Sequence, residues 1–187
     1  NNNVNELTIQ PDGKILVVGG FTAYNGSGLK RIARLESNGA KDATFKIGNG
    51  ADLSLNTVFL NPDGKIYVGG TFTLIDSFAR LRIARLNTNG TVDRNFMGNS
   101  RFNGAVNATA FQSTGLTIVA GSMTTHNKDV IGRICRLDLS GEVDPSFNTG
   151  GVGANGLIRA LVVQPDDKIL IVGDFTKYNN VNCYRIC

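Results

Sequence analysis

The sequence predicts an all-β protein, a β-propeller assembled from tandem four-stranded blades of about 51 residues. Two repeated blocks and a turn-rich composition carry that reading. Gln10-Pro-Asp-Gly-Lys-Ile returns as Asn61-Pro-Asp-Gly-Lys-Ile, weakens to Gln112-Ser-Thr-Gly-Leu-Thr, and returns as Gln164-Pro-Asp-Asp-Lys-Ile. Arg31-Ile-Ala-Arg-Leu recurs at Arg82, Arg133 and Arg185. Both blocks keep spacings of 51, 51 and 52 residues, and two anchors in constant register define tandem structural units. The 187 residues are 41% hydrophobic and 18% charged, with 23 glycines, which suits a globular chain rich in tight turns. The units run over about 4–54, 55–105, 106–157 and 158–187, the last being incomplete.

In the first unit, residues 4–10 read as a short strand. Pro11-Asp12-Gly13 makes a turn: Pro presets φ, Asp bonds its local backbone and Gly accepts a positive φ. Residues 14–21, β-branched and nearly continuously apolar, read as a buried second strand. After a variable loop, Arg31-Ile-Ala-Arg-Leu forms a third strand. Ser37-Asn38-Gly39 is the next tight turn, and a short fourth strand is expected around Thr44 and Phe45. Four antiparallel strands per unit describe a propeller blade, whereas a solenoid coil needs about half this length. Gly19, Gly70, Gly121 and Gly173 share a column that predicts a bulge or a close backbone approach. Phe21, Phe72, Met123 and Phe175, two positions later, are expected to pack between blades.

These columns resemble the delta-60 repeat family of predicted β-propellers, over essentially the whole chain. The third unit departs most, losing the Pro-Asp turn and carrying Leu116 where the others have Lys. The resemblance implies a large bacterial surface or secreted protein, or a phage-encoded one. It implies no catalytic residue and no cofactor.

The net charge of +4 comes from the repeat itself, which spreads Arg31, Arg34, Arg82, Arg85, Arg133, Arg136 and Arg185 along the chain. A basic cluster interleaved with aromatics is missing, so no nucleic-acid partner is expected. Apolar runs are too short to span a bilayer as helices, so no membrane insertion is expected. Cys135 and Cys187 occupy the slot of Ala33 and Ala84, as small buried residues, and with Cys183 as an odd third they do not argue for a disulfide framework. The chain does not begin with Met, which is read as a processed product or a piece of a longer chain.

Arg34 and Asp42, Arg85 and Asp93, and Arg136 and Asp144 are each eight residues apart across a tight turn, and are expected to pair structurally, once per blade. The same turns offer two or three oxygens where a calcium loop needs six to eight, so no metal is expected. His126 is the single histidine and lies in a loop without a Ser or Cys elbow, so no catalytic residue is assigned and the chain is read as a non-enzyme. Variation collects between the second and third strands, where Tyr24, Asn25, Phe78, Arg80, His126 and Tyr178 are the candidate binding residues, expected to be exposed.

The fourth unit stops inside its third strand, and an open edge of that kind needs a partner. The expected partners are further blades of the same chain or other protein subunits. The expected function is a non-catalytic structural or interaction module of an extracellular, cell-surface or virion assembly. The alternative is a lectin-like propeller binding glycans through its blade loops.

Overall fold

The computed structural model describes residues 1–96 and 101–187. All regular elements among them are strands. The chain divides into two compact units, Asn1–Arg94 and Asn95–Cys187, with two repeats in each.

Blade 1 is an antiparallel sheet of β1 (Val4–Ile9), β2 (Ile15–Gly19) and β5 (Ile32–Leu35), with β2 central. A two-residue hairpin, β3 (Ala23–Tyr24) and β4 (Ser27–Gly28), interrupts it. Blade 2 repeats the plan with β6 (Leu55–Leu60), β7 (Ile66–Gly70), the hairpin β8 (Leu74–Ile75) and β9 (Phe78–Ala79), and β10 (Ile83–Leu86). Blade 3 comprises β11 (Val106–Phe111), β12 (Thr117–Gly121), the hairpin β13 (Thr125–His126) and β14 (Asp129–Val130), and β15 (Ile134–Leu137). Blade 4 pairs β16 (Ile158–Val163) with β17 (Ile169–Gly173) and carries the hairpin β18 (Lys177–Tyr178) and β19 (Val181–Asn182). Its third strand is a bridge between Val172 and Ile186.

The blade-like all-β fold stands, with one correction of detail. The fourth strand expected around Thr44 and Phe45 is a turn, and chain return is limited to single bridges, Leu35 to Lys41, Leu86 to Val92 and Leu137 to Val143. Asp42 is the physical reason: its carboxylate accepts from the Thr44 amide at 2.8 Å, which curls the chain away from the sheet.

The glycine column marks a bulge in every blade. Pairing slips between Val4 and Glu6 opposite Gly19, and likewise at Leu55/Thr57, Val106/Ala108 and Ile158/Ala160. A Cβ on Gly70 would land on the Ser54 carbonyl oxygen, and the other three glycines face the same obstacle. That carbonyl accepts from the amide of the residue after the glycine, Thr71 at 2.9 Å in blade 2, so the approach is held from both sides.

Within the first unit, Leu16, Val18 and Ile32 of blade 1 share one core with Leu55, Val58, Ile66, Phe72 and Ile75 of blade 2. In the second unit Ile118, Ala120 and Ile134 of blade 3 join Ile158, Ile171 and Phe175 of blade 4. Phe72 and Phe175 thus pack between blades as expected, while Phe21 packs with Val17, Ala33 and Leu35 of its own blade.

Candidate functional site: the blade loops and the repeated ion pairs

Each complete repeat builds a carboxylate-centred network beneath its last turn. Arg34 Nε donates to Asp42 Oδ2 at 2.6 Å, Arg85 Nε to Asp93 at 2.9 Å, and Arg136 Nε to Asp144 at 2.8 Å. The lysine after the first turn joins, Lys14 Nζ lying 3.2 Å from Asp42 and Lys65 Nζ 3.1 Å from Asp93. Burial pushes the Asp42 carboxyl up, but hydrogen bonds from the Thr44 hydroxyl and amide, Arg34 and Lys14 outweigh it and hold it well below the usual carboxylate range. The Asp144 carboxyl is lowered chiefly by the Ser146 hydroxyl and amide. With Leu116 in place of lysine, Asp144 keeps Arg136 as its ion-pair partner, where its counterparts have two cations.

The loops between the second and third strands are the short hairpins. Their turns use left-handed residues, Asn25 and Gly26 in blade 1, Asp76 and Ser77 in blade 2, and Asn179 and Asn180 in blade 4, which matches the twist of a two-residue hairpin. Several of the candidate residues turn inward. Tyr24 is half-buried and its hydroxyl donates to the Gly39 carbonyl at 2.8 Å. Phe78 packs on the first core under the Arg94 guanidinium, 4.5 Å from its ring centre. His126 is only 3% exposed, bridged to Phe102 with ring centres 5.1 Å apart, and burial holds its pKa down. Tyr178 packs on the core of the second unit. Asn25 is exposed at its turn. The expectation of exposed aromatics is therefore corrected: Tyr24, Ile75, His126 and Tyr178 form one column, and its side chains anchor each hairpin to its blade.

Arg80 is buried at 7% exposure in a column otherwise held by Leu29, Ile131 and Cys183. One guanidinium nitrogen donates to the Ala79 carbonyl at 2.8 Å, while its Nε has no partner.

Sequence reasoning missed two columns. Asn1, Asp52, Asn103 and Asn155 each accept two backbone amides with one side-chain oxygen, from Thr73 and Leu74 at 2.9 and 3.0 Å in the case of Asp52. This clamp fixes where each hairpin leaves its blade, and the repeat spacing alone could have revealed it. The second was seen as a repeat but not for its conformation: Arg31, Arg82, Arg133 and Arg185 are all left-handed, with φ of 72, 77, 69 and 71°. Arg31 and Arg82 fold back to donate to the Gly20 and Thr71 carbonyls.

Among the described residues no three His, Cys, Asp or Glu side chains gather to hold a metal ion, and no helix is long and apolar enough to cross a membrane. Cys135, Cys183 and Cys187 are free thiols; burial pushes Cys135 up strongly and Cys187, which also contacts Cys183, up to about 11.

Bulged three-stranded sheets that repeat with an inserted hairpin, stacked face to face within each unit, define a β-propeller class of protein. The chain belongs to the family described as "Domain of unknown function (DUF5122) beta-propeller", matched at residues 10–45, 61–96, 112–147 and 164–187. Among curated proteins no sequence matches it. The fold is similar to the WD40 β-propeller domain of Doa1, with TM-score 0.60 and 13% identity, covering 90% of this chain and 47% of that one. It is also similar to a protein of unknown function from Bacteroides caccae, with TM-score 0.55 and 18% identity, covering 91% and 56%. An extracellular domain from B. thetaiotaomicron gives TM-score 0.56 and 12% identity, covering 94% and 21%. The chain thus spans about half or less of each of these structures.

Proposed function

We propose that this chain is a non-catalytic interaction module, and that protein surfaces meet it through the faces of its blades. One observation carries the reading: columns that are core inside the units are exposed on blades 1 and 4. Val58 and Leu60 of β6 pack in the first core, yet their counterparts Leu7 and Ile9 on β1 are solvent-exposed. Leu16, Val18 and Ile32 are fully buried, yet their counterparts Leu170, Val172 and Ile186 on blade 4 are exposed. One face is thus the kind that blade 1 presents to blade 2, and the other the kind that receives it. Apolar patches of this sort on a soluble surface mark contact sites. Two complementary faces on one chain favour head-to-tail contact, supplied by a partner subunit or a further blade.

The finer reading is a delta-60-type module on a cell surface, in a secreted protein or on a virion; the extracellular domain from B. thetaiotaomicron, similar in fold alone, is consistent with it. The inward packing of Tyr24 and His126 favours protein contacts over sugar-stacking pockets repeated in each blade. The non-catalytic reading is supported by the packing of the single histidine, which is buried in β13. Light scattering tests the association: the chain is expected to run as multiples of its own mass, and a monomer at all concentrations argues against the reading.

A further inference from the structure

We infer that blade 3 carries a cleft for an arginine side chain from a partner protein, a site that its sister blades have closed with their own residues. The cleft encloses about 360 Å³. Its apolar lining includes Ile131, Ile134, Phe147 and Val130, and two acidic residues border it, Asp129 and Asp144, the latter already paired with Arg136 at 2.8 Å. That volume lies in the range of side-chain and small-ligand sites.

Four differences between repeats coincide there. First, the position of Ile131 is held in blade 2 by Arg80, buried and within electrostatic reach of Asp93, the counterpart of Asp144. Blade 2 therefore carries a second guanidinium near this carboxylate, besides Arg85, where blade 3 has Arg136 alone. Second, the position of Asp129 is held by Ser27 in blade 1 and by Phe78 in blade 2, where Arg94 covers the ring. Third, Leu116 removes the lysine that shares the carboxylate in the other two blades, and Asp144 is 18% exposed against 1% for Asp42 and 7% for Asp93. Fourth, the segment after Phe45 buries Ile47 in the core, whereas after Phe147 the chain leaves Thr149 and Gly150 exposed on the rim.

Every one of these changes opens the site or makes it more negative. An occupant must therefore combine an aliphatic stem with a cationic head. Arginine fits best, because its stem lies along apolar surface while its planar fork matches carboxylate oxygens. The residues that approach Asp93 in blade 2 show the same chemistry within this chain. The inference extends the interaction-module reading but does not use the exposed faces of blades 1 and 4, so either can fail alone.

The test is an NMR titration of the intact chain with N-acetyl-arginine amide, compared with its neutral citrulline counterpart. Saturable shifts are expected at Val130, Ile131 and Thr149, with citrulline binding about tenfold more weakly for one lost charge-assisted contact. Asp129→Asn, at an exposed position that does not threaten folding, should weaken arginine binding by a similar factor. Ile131→Arg, copying blade 2, should block it. Absence of saturable shifts overturns the inference. So does equal binding of citrulline, or an unchanged affinity in Asp129→Asn. None of these results bears on association measured by light scattering.

Discussion

Arg34 and Asp42 lie eight residues apart in the chain and 2.6 Å apart across the turn that follows β5. Both are almost fully buried, and the same carboxylate also orders Thr44 through its hydroxyl at 2.6 Å. The guanidinium stacks 4.7 Å over the Phe45 ring, so the pair ties the end of the third strand to the core. Removing Arg34 takes from the buried Asp42 its nearest partner and leaves Lys14 at 3.2 Å, while the stacking on Phe45 is lost as well. Arg34→Leu is expected to cost about 3–5 kcal/mol, and the double variant Arg34→Leu/Asp42→Leu less than Arg34→Leu and Asp42→Leu added together. Urea denaturation of the three variants checks this.

The glycine column predicts a second effect. In Gly70→Ala the new methyl group meets the Ser54 carbonyl, which belongs to backbone and cannot swing aside. A loss of about 1–3 kcal/mol or more is expected, as for overpacking in a closed core. The control is Gly26→Ala, where a Cβ meets open space but φ is positive at 75°, so that its cost is conformational, about 1 kcal/mol. Thermal unfolding should rank the two in that order.

Arg80→Leu restores the apolar residue that blade 1 carries at this position. The arginine is buried with its Nε unpartnered, so its desolvation is poorly compensated. The substitution is expected to be neutral or stabilising by about 1 kcal/mol, seen as a higher Tm. A clear fall in Tm would mean that Arg80 supports the blade through its charge.

Acid should weaken the fold in two steps. Burial lowers the pKa of His126, so the unfolded chain takes up a proton at higher pH than the folded one. Its contribution is complete above the ordinary value of 6.5 and is lost as pH falls through the lower folded value. Asp42 and Asp144 are also lowered, and their contribution is present above about pH 4 and lost as pH falls further. Stability measured from pH 8 to pH 3 should show both declines, and His126→Phe should remove the first.

The repeat period made most of this fold legible. Gly19 and its counterparts signalled the bulge because only a missing Cβ permits that approach, and Arg34 with Asp42 signalled a pair because a tight turn joins them. What stayed hidden has a physical cause. The turn at Thr44 wins over a strand through hydrogen bonds to Asp42 that no propensity encodes. The left-handed Arg31 column is invisible because arginine, unlike glycine, gives no sign of a positive φ. His126 read as a loop residue because its two-residue strand is too short for a hydrophobic pattern to show.

The most direct test of the interaction-module account uses two variants that each spoil one face. Leu7→Glu places a charge on the exposed face of blade 1, and Val172→Glu on that of blade 4. Each variant alone should be monomeric by light scattering, because head-to-tail contact needs both faces. An equal mixture should recover dimers, since each supplies the face that the other lacks. Variants that associate as the unaltered chain does, or a mixture that stays monomeric, would contradict the account.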